Sequence, residues 1–187
     1  MLFQCLILMY SEKEFIERCL KNEPQAQEAL YRQYAPKMFG ICLRFTRNKM
    51  EAEDVLQDGF IKVFSYLKDY RNEGSLEGWI RRTIINTAIN FYKKKVKRFN
   101  EMDIEKADYV NHDDETILDK LSANELLNLV QELPDGYRMV FNLSVVEGYT
   151  HKEIGDMLNI SENTSKSQLS RARNVLQTKI KKIEKSE

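Results

Sequence analysis

At 3.6 residues per turn, Leu56, Phe60, Val63 and Leu67 fall on one face of a helix. Glu51, Asp54, Asp58 and Ser65 fall on the opposite face, with Val55 and Ile61 beside them. Lys68 to Ser75 contains Asn72 and Gly74 and is predicted to be a loop. Leu76 to Lys97 returns to helical spacing and is apolar over about half its circumference, through Ile80, Ile84, Ala88 and Phe91, then Ile85, Ile89 and Tyr92. Its other side carries Arg82, Asn86, Asn90, Lys93 and Lys97 at steps of four, four, three and four. Acid on one helix and amide plus base on its neighbour suggest two different partners for one small bundle.

The same pattern extends outward in both directions. Ser11 to Glu14 is a capping box, Ser-x-x-Glu, that opens a helix to about Lys21. Asn22-Glu23-Pro24 is a break, with Pro24 suited to a first helical position. A long helix from Ala26 to Phe45 carries Ala29, Leu30, Tyr34, Met38, Ile41 and Phe45, and Pro36 is expected to kink or split it. Asn48 separates it from the acidic helix. Beyond Glu101 the periodicity fades as far as about Asp114, which predicts a flexible linker. Helical spacing resumes with Leu118, Leu121, Leu126, Leu129, Val130 and Leu133, and Pro134 ends it. Tyr137 to Val146 is the next helix, closed by Gly148.

Thr150 to Leu158 reads as a short helix, and Asn159-Ile160-Ser161 as a turn. Asn159 can take the left-handed conformation there, and Ser161 can cap the next helix. Leu169, Ala172, Leu176, Ile180 and Ile183 then form one apolar stripe. The opposite face shows Asn163, Thr164, Ser167, Ser170, Arg171 and Asn174, flanked by Lys166 and Arg173. A short helix, a tight turn and a longer polar-basic helix is the plan of a helix-turn-helix, whose second helix enters the major groove. An ordinary helical hairpin has the same outline.

Composition changes this picture only through its distribution. The 187 residues suffice for one domain or two small ones, and a hydrophobic share of 42% is ordinary for a chain that buries a core. The net charge of zero is a cancellation. From Arg81 to Arg98 every charged residue is basic; Glu101 to Asp119 holds eight acids against Lys106; beyond Glu162 bases dominate again. Asparagines on a basic stripe can hydrogen-bond base edges or phosphates, so nucleic acid is the natural partner. A basic run can also be a solubility tail or a lipid contact, and the acidic face can be simple solvent surface. Cys5, Cys19 and Cys42 are odd in number without CxxC spacing, which predicts reduced, mostly core-facing thiols of a cytosolic protein. His112 and His151 lack partners at ligand spacing, so no metal site is expected, and without a Gly-rich phosphate loop, GxSxG or HExxH motif no other cofactor is expected. No apolar run is long enough to span a bilayer. Met1 to Met9 is apolar, with no basic residue before it and no cleavage site after it, unlike a signal peptide. The expectation is a start placed too early, with Met9 the true start.

Two separate stretches together carry a family resemblance. Ala52-Glu53-Asp54-Val55-Leu56-Gln57-Asp58-Gly59-Phe60-Ile61-Lys62-Val63-Phe64 resembles the core-polymerase-binding helix of bacterial RNA polymerase sigma factors of the extracytoplasmic-function (ECF) type. Gly78-Trp79-Ile80-Arg81-Arg82-Thr83-Ile84-Ile85-Asn86 resembles the start of that family's helix for the minus-ten promoter element. Tyr149-Thr150-His151-Lys152-Glu153-Ile154 and Thr164-Ser165-Lys166-Ser167-Gln168-Leu169-Ser170-Arg171-Ala172-Arg173 resemble region four, which reads the minus-thirty-five element. This sequence departs from the family's usual residues at Asn90, Lys93, Gly155, Asn159, Ser165 and Gln168.

The resemblance implies an all-α chain of two small helical domains: region two over residues 11–98, an acidic linker over 99–116 and region four over 117–184. It implies a dissociable, non-catalytic subunit that binds core RNA polymerase and directs promoter recognition, DNA melting and initiation in the cytoplasm. Asp54, Gln57, Asp58 and Phe60 would bind the polymerase. Tyr70, Arg71 and Asn86 would form a pocket for a flipped minus-ten base, with Asn90 and Lys93 nearby. Lys166, Ser167, Ser170 and Arg171 would grip or read the minus-thirty-five duplex. Core polymerase and promoter DNA are the implied partners, an antisigma factor is a further candidate, and no cofactor or membrane insertion is implied. The residues by themselves also suit a dimeric helix-turn-helix regulator that needs no polymerase, or an interaction module that never touches DNA.

Overall fold

The computed structural model describes residues 12–101 and 123–184. Helix α1 spans Glu12–Leu20, α2 Pro24–Phe45 and α3 Lys49–Tyr66, which runs into a 3-10 turn, Leu67–Asp69. Helix α4 spans Leu76–Glu101, α5 Ala123–Gln131 and α6 Asp135–Phe141, continued as a π-helical segment, Asn142–Val146. Helix α7 spans His151–Leu158 and α8 Glu162–Glu184. No strand occurs among the described residues. The apolar leader, the Ser11 end of the first capping box and most of the acidic linker lie outside them; residues 99–101, expected in the linker, are the last turn of α4.

Local chemistry sets the breaks between helices. Pro24 occupies the first position of α2, where its missing N–H costs nothing. Asn48 caps α3 by accepting from the Glu51 N–H at 2.9 Å. Asn22, Asn72 and Asn159 adopt φ near +59°, and Gly74 adopts +92°, the left-handed conformations that such turns need. Pro36 was expected to kink or split the long helix, yet α2 is a single element from Pro24 to Phe45. Pro36 is exposed, so the carbonyl four residues earlier that loses its partner can turn to water.

The chain divides into two compact units: residues 12–43 with 48–88, and residues 44–47 with 89–101 and 123–184. In the first unit, Phe15, Leu30, Met38, Val55, Phe60, Val63, Leu76, Ile80 and Ile84 form the core. Gly59 brings α3 and α4 close: a Cβ there would stand 2.4 Å from Ile84 Cδ1. Cys19 and Cys42 are buried in this core, and burial pushes their thiols up to about 11 and about 12.

In the second unit Leu133, Met139, Val140, Leu143, Ile154, Leu158, Leu169 and Ala172 are buried. Polar side chains are buried among them, and most of their donors are answered, while Asn142 Oδ1, Gln168 Oε1 and Arg44 Nε are left without a partner among the described residues. The Arg138 guanidinium, 3% exposed, donates to the carbonyls of Gln131 at 2.9 Å, Leu133 at 2.7 Å and Phe45 at 3.4 Å, and to the Asp135 carboxylate. Asn142 Nδ2 donates to the carbonyls of Arg44 at 2.7 Å and Arg138 at 2.9 Å. Two carbonyls at the end of α2, which no further turn of helix would satisfy, are thus capped by side chains of this unit. Glu147, its side chain 4% exposed, pairs with Arg44 at 3.2 Å.

Asp135 also takes Lys95 at 3.2 Å and lies 3.8 Å from Arg47. Burial pushes its carboxyl up, but the Arg138 and Lys95 charges outweigh burial and hold it below the ordinary aspartate value of 3.8. A carboxyl depressed in the folded state stabilises fully above its unfolded pKa, and that stabilisation is lost as pH falls through the folded value. The thermal midpoint of this unit should therefore drop as pH is lowered below about 4. Circular dichroism melts across that range should show the drop in the native protein and a flatter profile in Asp135→Asn.

Candidate functional site

Three surfaces carry the candidate residues. On α3, Asp54, Gln57 and Asp58 are exposed within little more than one turn. Neither aspartate makes an ion pair among the described residues. Ile61, 64% exposed, shares their face and was not singled out from the sequence as a contact. Phe60, expected to contact the polymerase, points the other way. It is 3% exposed, and its ring sits edge-on to Tyr31 with centroids 4.7 Å apart. Its period-3.6 position places it on the core side, so it supports the acidic face from beneath while Ile61 is the apolar group on the face itself.

On α4, Arg82, Asn86, Asn90 and Lys93 are exposed along one side, as their spacing predicts. Trp79 continues that stripe toward the start of the helix, three residues before Arg82, and sequence reasoning missed it. The signal was there in the steps 79, 82, 86, 90, 93. Its ring meets that of Tyr70, with centroids 5.8 Å apart and planes at 53°. The Tyr70 hydroxyl donates to the Gly74 carbonyl at 2.8 Å and lies 3.4 Å from the Glu12 carboxylate. This ties the loop 70–75 to the head of α4, with an aromatic pair where the stripe begins. Arg71, next in the loop, is exposed. A tyrosine with its hydroxyl engaged still offers a ring face, and base stacking needs only the face.

In the second unit α7 and α8 cross through a tight turn. Thr150 and Glu153 cap α7 reciprocally: the Glu153 N–H donates to Thr150 Oγ1 at 3.3 Å, and the Thr150 N–H donates to Glu153 Oε2 at 2.8 Å. The Gly155 carbonyl accepts the Ile160 N–H at 3.0 Å, and a Cβ on Gly155 would stand 2.8 Å from the Ile160 carbonyl oxygen. Ser161 Oγ accepts the Thr164 N–H at 3.0 Å and starts α8. His151 Nδ1 meets the buried Ser165 Oγ at 2.9 Å and pins the two helices together. Lys166, Ser167, Ser170 and Arg171 are all exposed on α8. Lys166 pairs with Glu162 at 2.6 Å; that hydrogen bond and charge hold the Glu162 carboxyl below its usual range. Ser167 donates back to the Thr164 carbonyl at 2.9 Å, leaving its oxygen as an acceptor only. Gln168 is turned inward, its amide against Gly136.

Two family models match this chain in order: Sigma-70 region 2 over residues 30–98 and Sigma-70 region 4 over residues 123–176. The chain belongs to the ECF branch of the sigma-70 family. The RNA polymerase sigma-H factor of Pseudomonas aeruginosa is 25% identical over 182 residues, covering 91% of this chain and 94% of that protein. The ECF RNA polymerase sigma-E factor of Haemophilus influenzae is 25% identical over 184 residues, covering 92% and 97%. Among solved structures, the sigma factor RpoE in complex with the anti-sigma factor NepR from Bartonella quintana shares the fold, with TM-score 0.52 and 20% identity over 82% of this chain and 96% of that one. In this sigma factor, region 2 contains both the acidic face of α3 and the stripe of α4, and region 4 contains the α7–α8 turn. No described helix is long and apolar enough to cross a membrane, and no described cluster of His, Cys, Asp or Glu could hold a metal ion.

Proposed function

We propose that this chain is the promoter-recognising sigma subunit of a bacterial RNA polymerase, working in the cytoplasm and catalysing no reaction itself. The observation that carries the reading is the pairing of regions 2 and 4 in one chain, with an acidic face and an amide-and-base stripe on two abutting helices of region 2. Asp54, Gln57, Asp58 and Ile61 meet core polymerase. The Tyr70–Trp79 pair, Arg71 and Asn86 hold one flipped minus-ten base, and Asn90 and Lys93 follow the strand. Lys166, Ser167, Ser170 and Arg171 meet the minus-thirty-five duplex. An antisigma factor is a further partner of this proposal, as NepR is of the Bartonella protein.

Melting requires the polymerase. Opening about ten base pairs costs on the order of 1.4 kcal/mol per stacking step. One aromatic platform returns about 1–3 kcal/mol per base. Phosphate contacts along the stripe are shared with closed duplex and weaken with salt. Runoff transcription on genomic fragments, then permanganate footprinting, tests the reading. Thymines should react only when core enzyme is present, and reactivity with the isolated protein would point to a DNA-distorting regulator instead.

Grip and reading should separate on α8. Lys166→Ala removes a cation on the flank and should weaken all sequences alike, flattening the salt slope by roughly one. Arg171→Ala should relax sequence preference, by about 1–3 kcal/mol at the base it reads. Binding selections over a promoter library distinguish them, and identical preference profiles for the two variants contradict the assignment.

A further inference from the structure

Lys62 lies on the core-binding helix but does not behave like a member of its acidic face. Asp58 stands one turn earlier, in the acid-before-base order that favours an ion pair at this spacing. The Lys62 amine instead crosses to α4 and donates to Thr87 Oγ1 at 3.2 Å. Thr87 is 3% exposed, and its own hydroxyl donates to the Thr83 carbonyl at 2.9 Å, which leaves its oxygen lone pairs to accept. The route is short because Gly59, one turn before Lys62, is pressed against Ile84, one turn before Thr87.

The end point of that route matters. At about 100° per residue, Thr87 lies roughly 60° around α4 from Asn90 and roughly 20° from Lys94. It marks the border between the buried face and the exposed stripe. An ammonium carries three N–H donors, and Thr87 uses one. No carboxylate pairs with Lys62 among the described residues. A lysine serving only to staple two helices would surrender part of its hydration for a single neutral acceptor, with a carboxylate left unused one turn away. A cation held at the edge of the stripe with donors to spare suits an anionic ligand.

We propose that Lys62 is a DNA-binding residue: it contacts a backbone phosphate of the minus-ten strand, and Thr87 positions it. The inference rests on the sigma-factor reading and adds to it a cation delivered to the DNA from the core-binding helix. The same geometry divides the charges of α3. Asp54 and Asp58 remain for the polymerase, and Lys62 is turned to the promoter.

The test uses holoenzyme and the single-stranded non-template minus-ten oligonucleotide of a promoter recovered by runoff transcription, titrated at several salt concentrations. Lys62→Met should weaken binding about tenfold and reduce the salt slope by about 0.7. Lys62→Arg should keep the slope. Thr87→Val should weaken binding by less than Lys62→Met and keep the slope, because the cation remains but is no longer held. Affinity for core enzyme should be unchanged in all three. A Lys62→Met protein with a lower thermal midpoint and an unaltered salt slope overturns the proposal in favour of a plain interhelix staple. Weaker core binding with an unaltered slope overturns it in favour of a polymerase contact. Failure of the wild-type holoenzyme to bind the strand overturns the sigma-factor reading beneath it, which separates the two failures.

Discussion

Reversing Asp54 and Asp58 together to lysine should weaken binding to core RNA polymerase at least about a hundredfold and leave the thermal midpoint unchanged. Both carboxylates are exposed and neither is paired within the chain among the described residues, so their removal breaks no internal contact. Lysine is at least as good a helix former as aspartate. Losing one partner of a close interfacial charge pair typically costs about 2–5 kcal/mol. Reversal adds repulsion at the same place, at two positions one turn apart. About 2.7 kcal/mol already corresponds to a hundredfold change. Fluorescence anisotropy of labelled protein against core enzyme, at two salt concentrations, reads the effect. Affinity equal to that of the native protein would remove α3 from the polymerase interface. Phe60→Ala is no substitute for this experiment: truncating a buried aromatic costs about 3–5 kcal/mol by cavity formation and would report on folding.

The second large effect is expected at Arg138. Its guanidinium is buried and answers three carbonyls and a carboxylate. Arg138→Met keeps much of the volume and removes every donor. The Asp135 charge then loses its nearest partner, and the Gln131, Leu133 and Phe45 carbonyls lose hydrogen bonds in a poorly solvated place. Breaking a buried pair by removing one member costs about 3–5 kcal/mol. A domain has only about 5–15 kcal/mol in total, so region 4 should unfold at far lower denaturant and binding to minus-thirty-five DNA should fail with it. Arg138→Lys should recover little, because a single ammonium cannot reproduce the planar fork. Urea melts measure the loss, and one below about 1 kcal/mol would show that the buried guanidinium is dispensable.

Most of the fold was legible because the signals are local. Ser161 and Asn159 announce their cap and turn through their own side-chain chemistry, Asn48 marks the break that it caps in the structure, and the four-residue and three-residue steps on α4 place the stripe directly. What escaped depends on partners far away in the chain. Tyr137 to Val146 looks like one regular helix by period, yet it becomes π-helical at Asn142, whose amide reaches a carbonyl 98 residues earlier. Arg138 looks like a surface arginine until the carbonyls it serves are seen around it. Phe60 was assigned by motif to the polymerase face although its own periodicity put it in the core. Lys62 gave no signal at all, since nothing in its neighbourhood names Thr87, 25 residues away. Pro36 does not split its helix, because a proline breaks a helix only where the stranded carbonyl cannot reach water.

The two core cysteines bear on how this sigma factor meets oxidative stress. Burial raises the thiols to about 11 and about 12, so at neutral pH the thiolate, the form that attacks peroxides and disulfides, is scarce at both. Both sulfurs are also buried in the core of the first unit. Cys19 and Cys42 are therefore poor nucleophiles in the folded protein, and an oxidant reaches either of them only by opening the first unit.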